Sequence, residues 1–362
     1  MAVHFHPLSV KRVSPEAAGA IAITFGIPQP LRATFDFRPG QFLTLRAMLD
    51  GKEQRRSYSI CSSRQRYATD GEIDIGIKPV QGGSFSNWAT QSLRPGDKIE
   101  VLPPEGRFTP RVAGARHRVG FAAGSGITPL LSIIATTLAQ ESASSFTLVY
   151  GNQRQSTIMF SEALQDLKDS YPARFALIHV LSRQPQETAL FNGRIDEAKV
   201  GELLRTLLPV GGIDEVFLCG PEGMIDAAGR ALLAAGLAPD RLHAERFYSD
   251  GAMAAPSGTL LDPVETSTAA STRLEIILDG KTHWLTMGPQ DRVLDVALNA
   301  GLDLPYSCKG GVCCTCRARV LQGRAEMEKN YTLESWEIDK GFVLTCQSRP
   351  LTDVLVVSYD ER

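Results

Sequence analysis

The sequence predicts a multidomain chain: an all-β N-terminal segment closed as a small antiparallel β-barrel, a central α/β segment on a parallel sheet, and a C-terminal α+β segment. Three observations carry this. The 362 residues are enough for two or three domains at about 100–200 residues each. The middle of the chain alternates short apolar runs with helical stretches. Five of the seven cysteines fall in the last quarter.

In the N-terminal hundred residues, β-rich runs at 21–25, 42–47, 58–61 and 73–77 are punctuated by Pro-Gly and Asp-Gly, and a barrel is their natural closure. Next come apolar runs at 118–123, 146–150, 175–181, 215–219 and 243–247, with helical stretches such as 129–140, 161–171 and 221–235 between them. Residues 251–272, rich in Ala, Ser, Thr, Pro and Gly, read as a linker. Beyond it, alternation over 274–278, an Asp279-Gly280 turn, a return strand over 282–286 and an amphipathic helix over 291–300 open the last segment.

Composition narrows the function. With 43% hydrophobic and 22% charged residues the chain is globular, and 38 basic against 40 acidic side chains leave no excess to neutralise nucleic acid phosphates or an anionic membrane. The N-terminus shows no secretory signal, so a cytoplasmic location is expected. A charge-free window over 119–140 is dense in Gly, Ser, Thr and Pro, which suits a buried strand, turn and helix rather than a membrane span.

Cys308, Cys313 and Cys316 form C-x4-C-x2-C, and Cys346 follows thirty residues after Cys316, the spacing of plant-type [2Fe–2S] ligation. The intervening Lys309-Gly310-Gly311-Val312 lets amide N–H groups turn inward toward sulfur. A structural zinc site also suits four thiolates, although zinc knuckles are spaced differently. Cys314 falls outside this register and reads as a spare thiol.

In open parallel sheets ligands sit beyond the carboxyl ends of strands, so the turns after the apolar runs are where chemistry is sought. The first, 122–129 (AAGSGITP), sets Gly124, Ser125, Gly126 and Thr128 ahead of a helix whose first turn is opened by Pro129, and its amides suit a pyrophosphate. By itself G-x-G is also an ordinary turn. Two more such turns follow, Tyr150-Gly151-Asn152 and Cys219-Gly220-Pro221-Glu222-Gly223-Met224.

Together these three turns resemble the ferredoxin-NADP reductase family. The resemblance implies that Gly124, Ser125, Gly126, Thr128, Gly151 and Asn152 bind the dinucleotide, with Cys219, Gly220, Pro221 and Met224 beside the nicotinamide. A small polarizable thiol at Cys219 would abut the ring carbon that gives up hydride, although a core cysteine would fit that strand equally well. Arg56-Ser57-Tyr58-Ser59 matches the family's flavin motif, and 78–86 (KPVQGGSFS) its second phosphate loop, which brings in Lys78, Gly82, Gly83, Ser84, Phe85 and Ser86. Glu245-Arg246-Phe247 resembles the family's terminal acid and aromatic, the acid near the flavin edge and Phe247 over the flavin face or, alternatively, in the core. Ser59, Cys219 and Glu245 are the implied catalytic residues.

The stretches 304–316 (LPYSCKGGVCCTC) and 342–353 (FVLTCQSRPLTD) resemble the plant-type ferredoxin domain, which implies a β-grasp fold. The domains implied are therefore a flavin barrel over 1–111, a nicotinamide domain over 112–250 and a ferredoxin domain over 273–362.

Over its full length the chain resembles the reductase components of phenylacetyl-CoA ring-1,2-epoxidase complexes, through these motifs and 330–334 (NYTLE). That family implies FAD as the flavin and electron flow from NAD(P)H through FAD and the [2Fe–2S] cluster to a separate multi-subunit diiron oxygenase. Ser182-Arg183, resembling the pair of NADPH-using relatives, and Arg154 favour NADPH over NADH, unless they are solvated loop charges. A reductase serving a hybrid-cluster protein or a Rieske-type oxygenase, or a zinc-held module on a vestigial nucleotide fold, are the alternative readings.

Overall fold

A computed structural model describes residues 4–112, 114–247 and 271–361. The first strands are β1 (His6–Pro15), β2 (Ile21–Gly26), β3 (Phe42–Leu49), β4 (Lys52–Ser59), β5 (Glu72–Ile77) and β6 (Lys98–Val101), in the spatial order β4-β3-β6-β1-β2-β5. Just past β4, Ile60 bridges Ile75 and the Cys61 N–H donates to the Asp74 carbonyl at 2.8 Å, so the outer strands meet and the sheet closes into a barrel. Phe25, Phe35, Phe37, Leu43 and Ile75 are among the residues filling its core. Two short helices decorate it, α1 (Arg64–Asp70) and α2 (Ser84–Ser92). The hydroxyl of Ser63 caps α1 by accepting from the Arg66 N–H, and Gly71, at φ +68°, ends it.

The expected run at 58–61 overlaps only the last two residues of β4, Tyr58 and Ser59, and continues past it into the Ile60 bridge; the earlier residues of β4 are polar and lie on an outer strand of the sheet. β1, β6 and α1 lie outside the expected runs; β6 alternates polar and apolar residues but over only four positions. The β1 ladder slips at a bulge between Val10 and Arg12.

Five parallel strands follow: β7 (His117–Ala123), β8 (Ser145–Asn152), β9 (Phe175–Leu181), β10 (Glu215–Gly220) and β11 (Leu242–Arg246), in the order β11-β10-β7-β8-β9. The helices between them are α3 (Ile127–Gln140), α4 (Ser161–Ser170), α5 (Glu197–Thr206) and α6 (Glu222–Ala234). One core packs α3 and α4 on one face of the sheet, and another packs α5 and α6 on the other. The chain winds outward from β7 in both directions, so the topological switch point lies between β7 and β10, where ligands of such sheets bind. Helix α3 begins at Ile127, one turn around Gly124–Gly126 ahead of it, so Pro129 is its third residue rather than its opener. The window 119–140 thus resolves into strand, turn and helix, and among the described residues no helix is long and apolar enough to cross a membrane.

At the other end of the sheet, away from these turns, a buried polar network fastens the chain as it leaves the barrel. Glu215, fully buried, accepts from Arg118 Nε at 3.0 Å and from the Arg111 N–H at 2.6 Å, and pairs with His243 Nε2 at 2.9 Å. Arg118 also reaches Glu141 at 2.7 Å and the Val112 carbonyl at 3.0 Å. Further contacts join barrel and sheet: Ser132 Oγ donates to the Ser62 carbonyl at 2.7 Å, and Thr136 Oγ1 accepts from the Arg64 N–H at 3.1 Å. Phe5–Gln54 and Tyr58–Phe247, the barrel and parallel sheet, accordingly make up one compact unit, and the C-terminal segment together with Arg55–Ser57 makes up a second.

That second unit has the strands β12 (Thr272–Leu278), β13 (Lys281–Met287), β14 (Arg317–Gln322), β15 (Ala325–Met327), β16 (Phe342–Leu344), β17 (Ser348–Pro350) and β18 (Val354–Ser358). Five of them form the sheet β13-β12-β18-β14-β16, and β15 pairs with β17. Helices α7 (Val293–Asn299) and α8 (Ser335–Asp339) complete it. Asp279 and Gly280 both have positive φ, 51° and 72°, the tight hairpin that the dipeptide predicts. Leu274, Ile276, Leu294, Ala297, Leu344 and Val357 belong to a core of its own. Of the expected linker, only Ser271 and Thr272 are among the described residues, and Thr272 already opens β12.

Candidate functional site: a nucleotide cleft and a thiol cluster

The turns after β7 and β10 are pressed together by glycines. A Cβ on Gly126 would lie 2.1 Å from the Cys219 carbonyl oxygen and 2.8 Å from the Gly220 nitrogen, so only glycine lets the first turn sit against the second. Gly124, at φ +55°, turns the chain out of β7, and its carbonyl accepts from the buried Tyr150 hydroxyl at 2.8 Å. Tyr150 thereby fixes the phosphate-type turn from the neighbouring strand, a role its place beside Gly151 and Asn152 does not announce. Lys78, leaving the barrel after β5, puts Nζ 3.8 Å from where a Gly124 Cβ would stand. A cation and a set of strand-end amides thus converge on one spot.

Thr128 is less exposed than a ligand-binding role suggests. Its hydroxyl donates to the Ser125 carbonyl at 3.0 Å, and its methyl packs where a Gly76 side chain would be, so it shapes the turn and leaves the facing surface to Gly124 and Ser125. Gly151 and Asn152 end β8 next to this turn, in register with Ala123 and Leu181.

Three side chains of the expected catalytic set do meet. Cys219 and Glu245 are register partners on β10 and β11, and Ser59, at the end of β4, donates its hydroxyl to Glu245 Oε2 at 3.0 Å. Burial pushes the Glu245 carboxyl up to about 8, with the Ser59 hydrogen bond pulling the other way, so at neutral pH Glu245 holds its proton. Burial and then the Glu245 charge also hold the Cys219 thiol well above its ordinary range. Cys219 is therefore a neutral, compact wall rather than a nucleophile. Met224, in the first turn of α6, backs this wall, with its methyl 2.8 Å from a Gly220 Cβ position. Pro221 caps α6.

On the barrel side, Arg56, Ser57 and Tyr58 are successive half-buried residues of β4. Tyr58 leans against Phe85, with ring centroids 5.9 Å apart, and Phe85 in turn meets Trp88 edge-on at 5.3 Å. Gly82, at φ +75°, and Gly83 lead into α2, whose first residues are Ser84, Phe85 and Ser86. Here side-chain and backbone roles separate. Phe85 is buried, and the Ser86 hydroxyl accepts from the Val80 N–H at 3.1 Å, so both present only backbone amides to a ligand. The Ser84 hydroxyl, by contrast, is exposed and pairs with Gln54 at 2.6 Å.

In the C-terminal unit, the loop between α7 and β14 carries Cys308, Cys313 and Cys316, and Cys346 lies between β16 and β17. Cys308 is half-buried and the other three are buried. Cys308 and Cys313 are hydrogen-bonded neighbours, as are Cys316 and Cys346, and in each pair the bond lowers one thiol, Cys308 or Cys346, while it raises the other. Four thiols in two adjoining pairs match the way two irons divide four ligands. Among the described residues no three His, Cys, Asp or Glu side chains gather about a single ion. The Gly310 N–H points at Cys308 Sγ from 3.3 Å, the inward amide that the glycines predict. Gly311, at φ +78°, has no room for a side chain, since a Cβ would come 3.0 Å from the Lys329 carbonyl. The Thr315 hydroxyl is buried with no nitrogen or oxygen partner beside these sulfurs. Cys314 takes no part in the pairs: at φ +59° its thiol turns to Thr332 Oγ1 at 2.9 Å.

Family models match in the same order as the folded parts: an oxidoreductase FAD-binding domain over 9–109, an oxidoreductase NAD-binding domain over 121–230 and a 2Fe-2S iron-sulfur cluster binding domain over 276–351. The chain is 43% identical to one of the subunits of the Escherichia coli 1,2-phenylacetyl-CoA epoxidase, over 99% of this chain and 98% of that one. It belongs to the ferredoxin-NADP reductase-type flavoproteins that carry a 2Fe-2S domain. The ferredoxin reductase component of a Rhodococcus rhodochrous 3-ketosteroid-9-alpha-monooxygenase is 35% identical to the reductase over 97% of this chain and 96% of that one. Among solved structures, phthalate dioxygenase reductase shares the fold, with a TM-score of 0.59 and 23% identity across 98% of both chains.

Ser182 and Arg183 follow β9 and are tied to the end of β8, through Ser182 N to the Asn152 carbonyl at 3.0 Å and Arg183 N to the Gln153 carbonyl at 2.8 Å. Arg154 lies between Gln153 and Gln155, whose N–H donates to Gln184 Oε1 at 2.9 Å. Both arginines are exposed, and among the described residues neither guanidinium has a protein acceptor. Phe247, just beyond β11, is 44% exposed, which is the outcome of a surface aromatic and not of a core one.

Proposed function

We propose that this reductase draws electrons from NADPH and delivers them, by way of FAD and a [2Fe–2S] cluster held by Cys308, Cys313, Cys316 and Cys346, to a multi-subunit diiron oxygenase that epoxidises the ring of phenylacetyl-CoA. The observation that carries this is the 43% identity to a component of such an epoxidase, which runs through all three cofactor domains. Bound flavin supplies the exchange between a two-electron hydride donor and a one-electron acceptor.

The residues of the chain supply position and protonation. Gly124, Ser125, Gly126 and Lys78 would hold the dinucleotide phosphates. The Cys219 wall would seat the nicotinamide, and Phe247 would cover the flavin face until the nicotinamide displaces it. Arg56 and the amides of 82–86 would hold the flavin phosphates, with Tyr58 and Ser57 along the ring system. Ser59 orients Glu245, whose carboxyl keeps a proton at neutral pH beside the reacting ring.

The preference for NADPH rests on the two arginines without protein acceptors, beside Ser182, which suit a 2′-phosphate. In steady-state kinetics, Arg183→Ala should raise the KM for NADPH and leave that for NADH unchanged. Equal changes would remove the basis for the preference. The acceptor is tested by anaerobic reduction with NADPH followed by addition of the purified diiron oxygenase of the epoxidase, with product formation as the readout. The 35% identity to a 3-ketosteroid-9-alpha-monooxygenase component favours a second reading, service to an oxygenase of another class. Turnover with that class and none with the epoxidase would establish it.

A further inference from the structure

Gln347 follows the last cysteine of the cluster segment, yet its side chain reaches back to the other one. Nε2 lies 2.8 Å from the Lys309 carbonyl, 2.9 Å from the Cys346 carbonyl and 3.6 Å from Cys346 Sγ. Three acceptors around one atom identify it as the nitrogen of the amide. One proton goes to Lys309, and the other is shared between the carbonyl and the sulfur of Cys346.

The residue is held from both sides of its backbone, with its N–H on the Leu344 carbonyl at 2.8 Å and its carbonyl accepting from Glu328 N at 3.0 Å. Its side chain is therefore fixed in place, 2% exposed, and a Gly311 Cβ would meet its Cγ at 3.3 Å. Lys309 is one of the few non-glycine residues with positive φ, 50°. The surroundings hold that conformation at both ends, with the ammonium on Asp295 at 2.8 Å and the carbonyl on Gln347.

We infer that Gln347 is a positioning residue for the iron–sulfur centre, which clamps the 308–313 loop to the Cys346 segment and donates a hydrogen bond to the Cys346 sulfur. This rests on the four-cysteine ligand set proposed above. A donor on a ligand sulfur stabilises the more negative, reduced cluster more than the oxidised one, so Gln347 raises the reduction potential. It also pairs the Lys309 carbonyl at 2.8 Å.

The test is anaerobic redox titration of the holoprotein under EPR detection, on the wild type, Gln347→Met and Gln347→Glu, with iron and sulfide measured in each. Gln347→Met keeps the volume and loses the donor, and its reduction equilibrium should move at least tenfold toward the oxidised cluster, about 59 mV for a one-electron couple. Gln347→Glu, which adds a negative charge, should move further in the same direction. Both should lose iron to a chelator faster than the wild type. A full cluster with an unchanged potential in both variants would overturn the inference. A wild type without iron and sulfide would instead defeat the ligand set it rests on. Should the variants assemble no cluster, wild-type protein carrying side-chain 15N-glutamine decides. A weak 15N hyperfine coupling to the reduced cluster supports the donor, and its absence overturns it.

Discussion

Glu245 and Cys219 are neighbours across two strands, and removal from water acts on both alike by favouring the neutral form. For the thiol this means an inert wall. For the carboxyl it means a proton retained through neutral pH, with a measurable consequence. Its folded value of about 8 lies above the ordinary 4.5, so between those limits the folded protein binds a proton that the unfolded chain has released. The stabilising contribution is complete below the lower limit and is lost as pH rises through the upper one. Infrared difference spectra should show a protonated carboxyl band at neutral pH that titrates out near pH 8 and is missing in Glu245→Gln. A band already gone at about pH 6, two units below that value, would contradict the assignment. Glu215 shows the opposite balance at the far end of the same strand: burial raises it, but His243, the Arg111 N–H and Arg118 together outweigh burial and hold it ionised.

At the scale of elements, the nucleotide cleft depends on how closely two turns approach. Gly126→Ala would force a methyl into the peptide after Cys219, a backbone obstacle that cannot swing aside. Overpacking of this kind costs about 1–3 kcal/mol. The expected result is a lower melting temperature and a raised KM for the nicotinamide nucleotide, with flavin content little changed, as measured by calorimetry, kinetics and absorbance. An unaltered KM would show that the approach of the turns does not shape the site. Legibility in the sequence varied with element for identifiable reasons. β9 is apolar except for His179, and its ends coincide with the expected 175–181. β4 is rich in charge because it lies on an outer strand of its sheet, so only its last residues stand out. α5 is mostly polar outside Val200, Leu203 and Leu204, and its start depends on Asp196 capping the Lys199 N–H.

At the scale of the molecule, barrel and parallel sheet share contacts and one compact unit, whereas the thiol loop belongs to a unit with a separate core. Cluster and nucleotide chemistry should therefore be separable by mutation. Cys308→Ser should abolish the EPR signal of the reduced cluster while NADPH-driven reduction of ferricyanide by the flavin unit persists. Loss of both activities together would show that the first unit depends on the second for its folding.

The sequence by itself determined the chemistry: thiol spacing, strand-end glycines and the flavin motif are local patterns, and each is imposed by the geometry of the group it serves. It also determined the order of the domains, because periodicity is read over a few residues. Only the tertiary structure decided which of these side chains stay exposed and which are spent inward, as those of Thr128, Phe85 and Ser86 are. It alone brought Ser59 onto Glu245, Tyr150 onto Gly124 and Gln347 onto Lys309. These pairs are 186, 26 and 38 residues apart in the chain, and no local pattern encodes a contact that exists only once separate elements have packed.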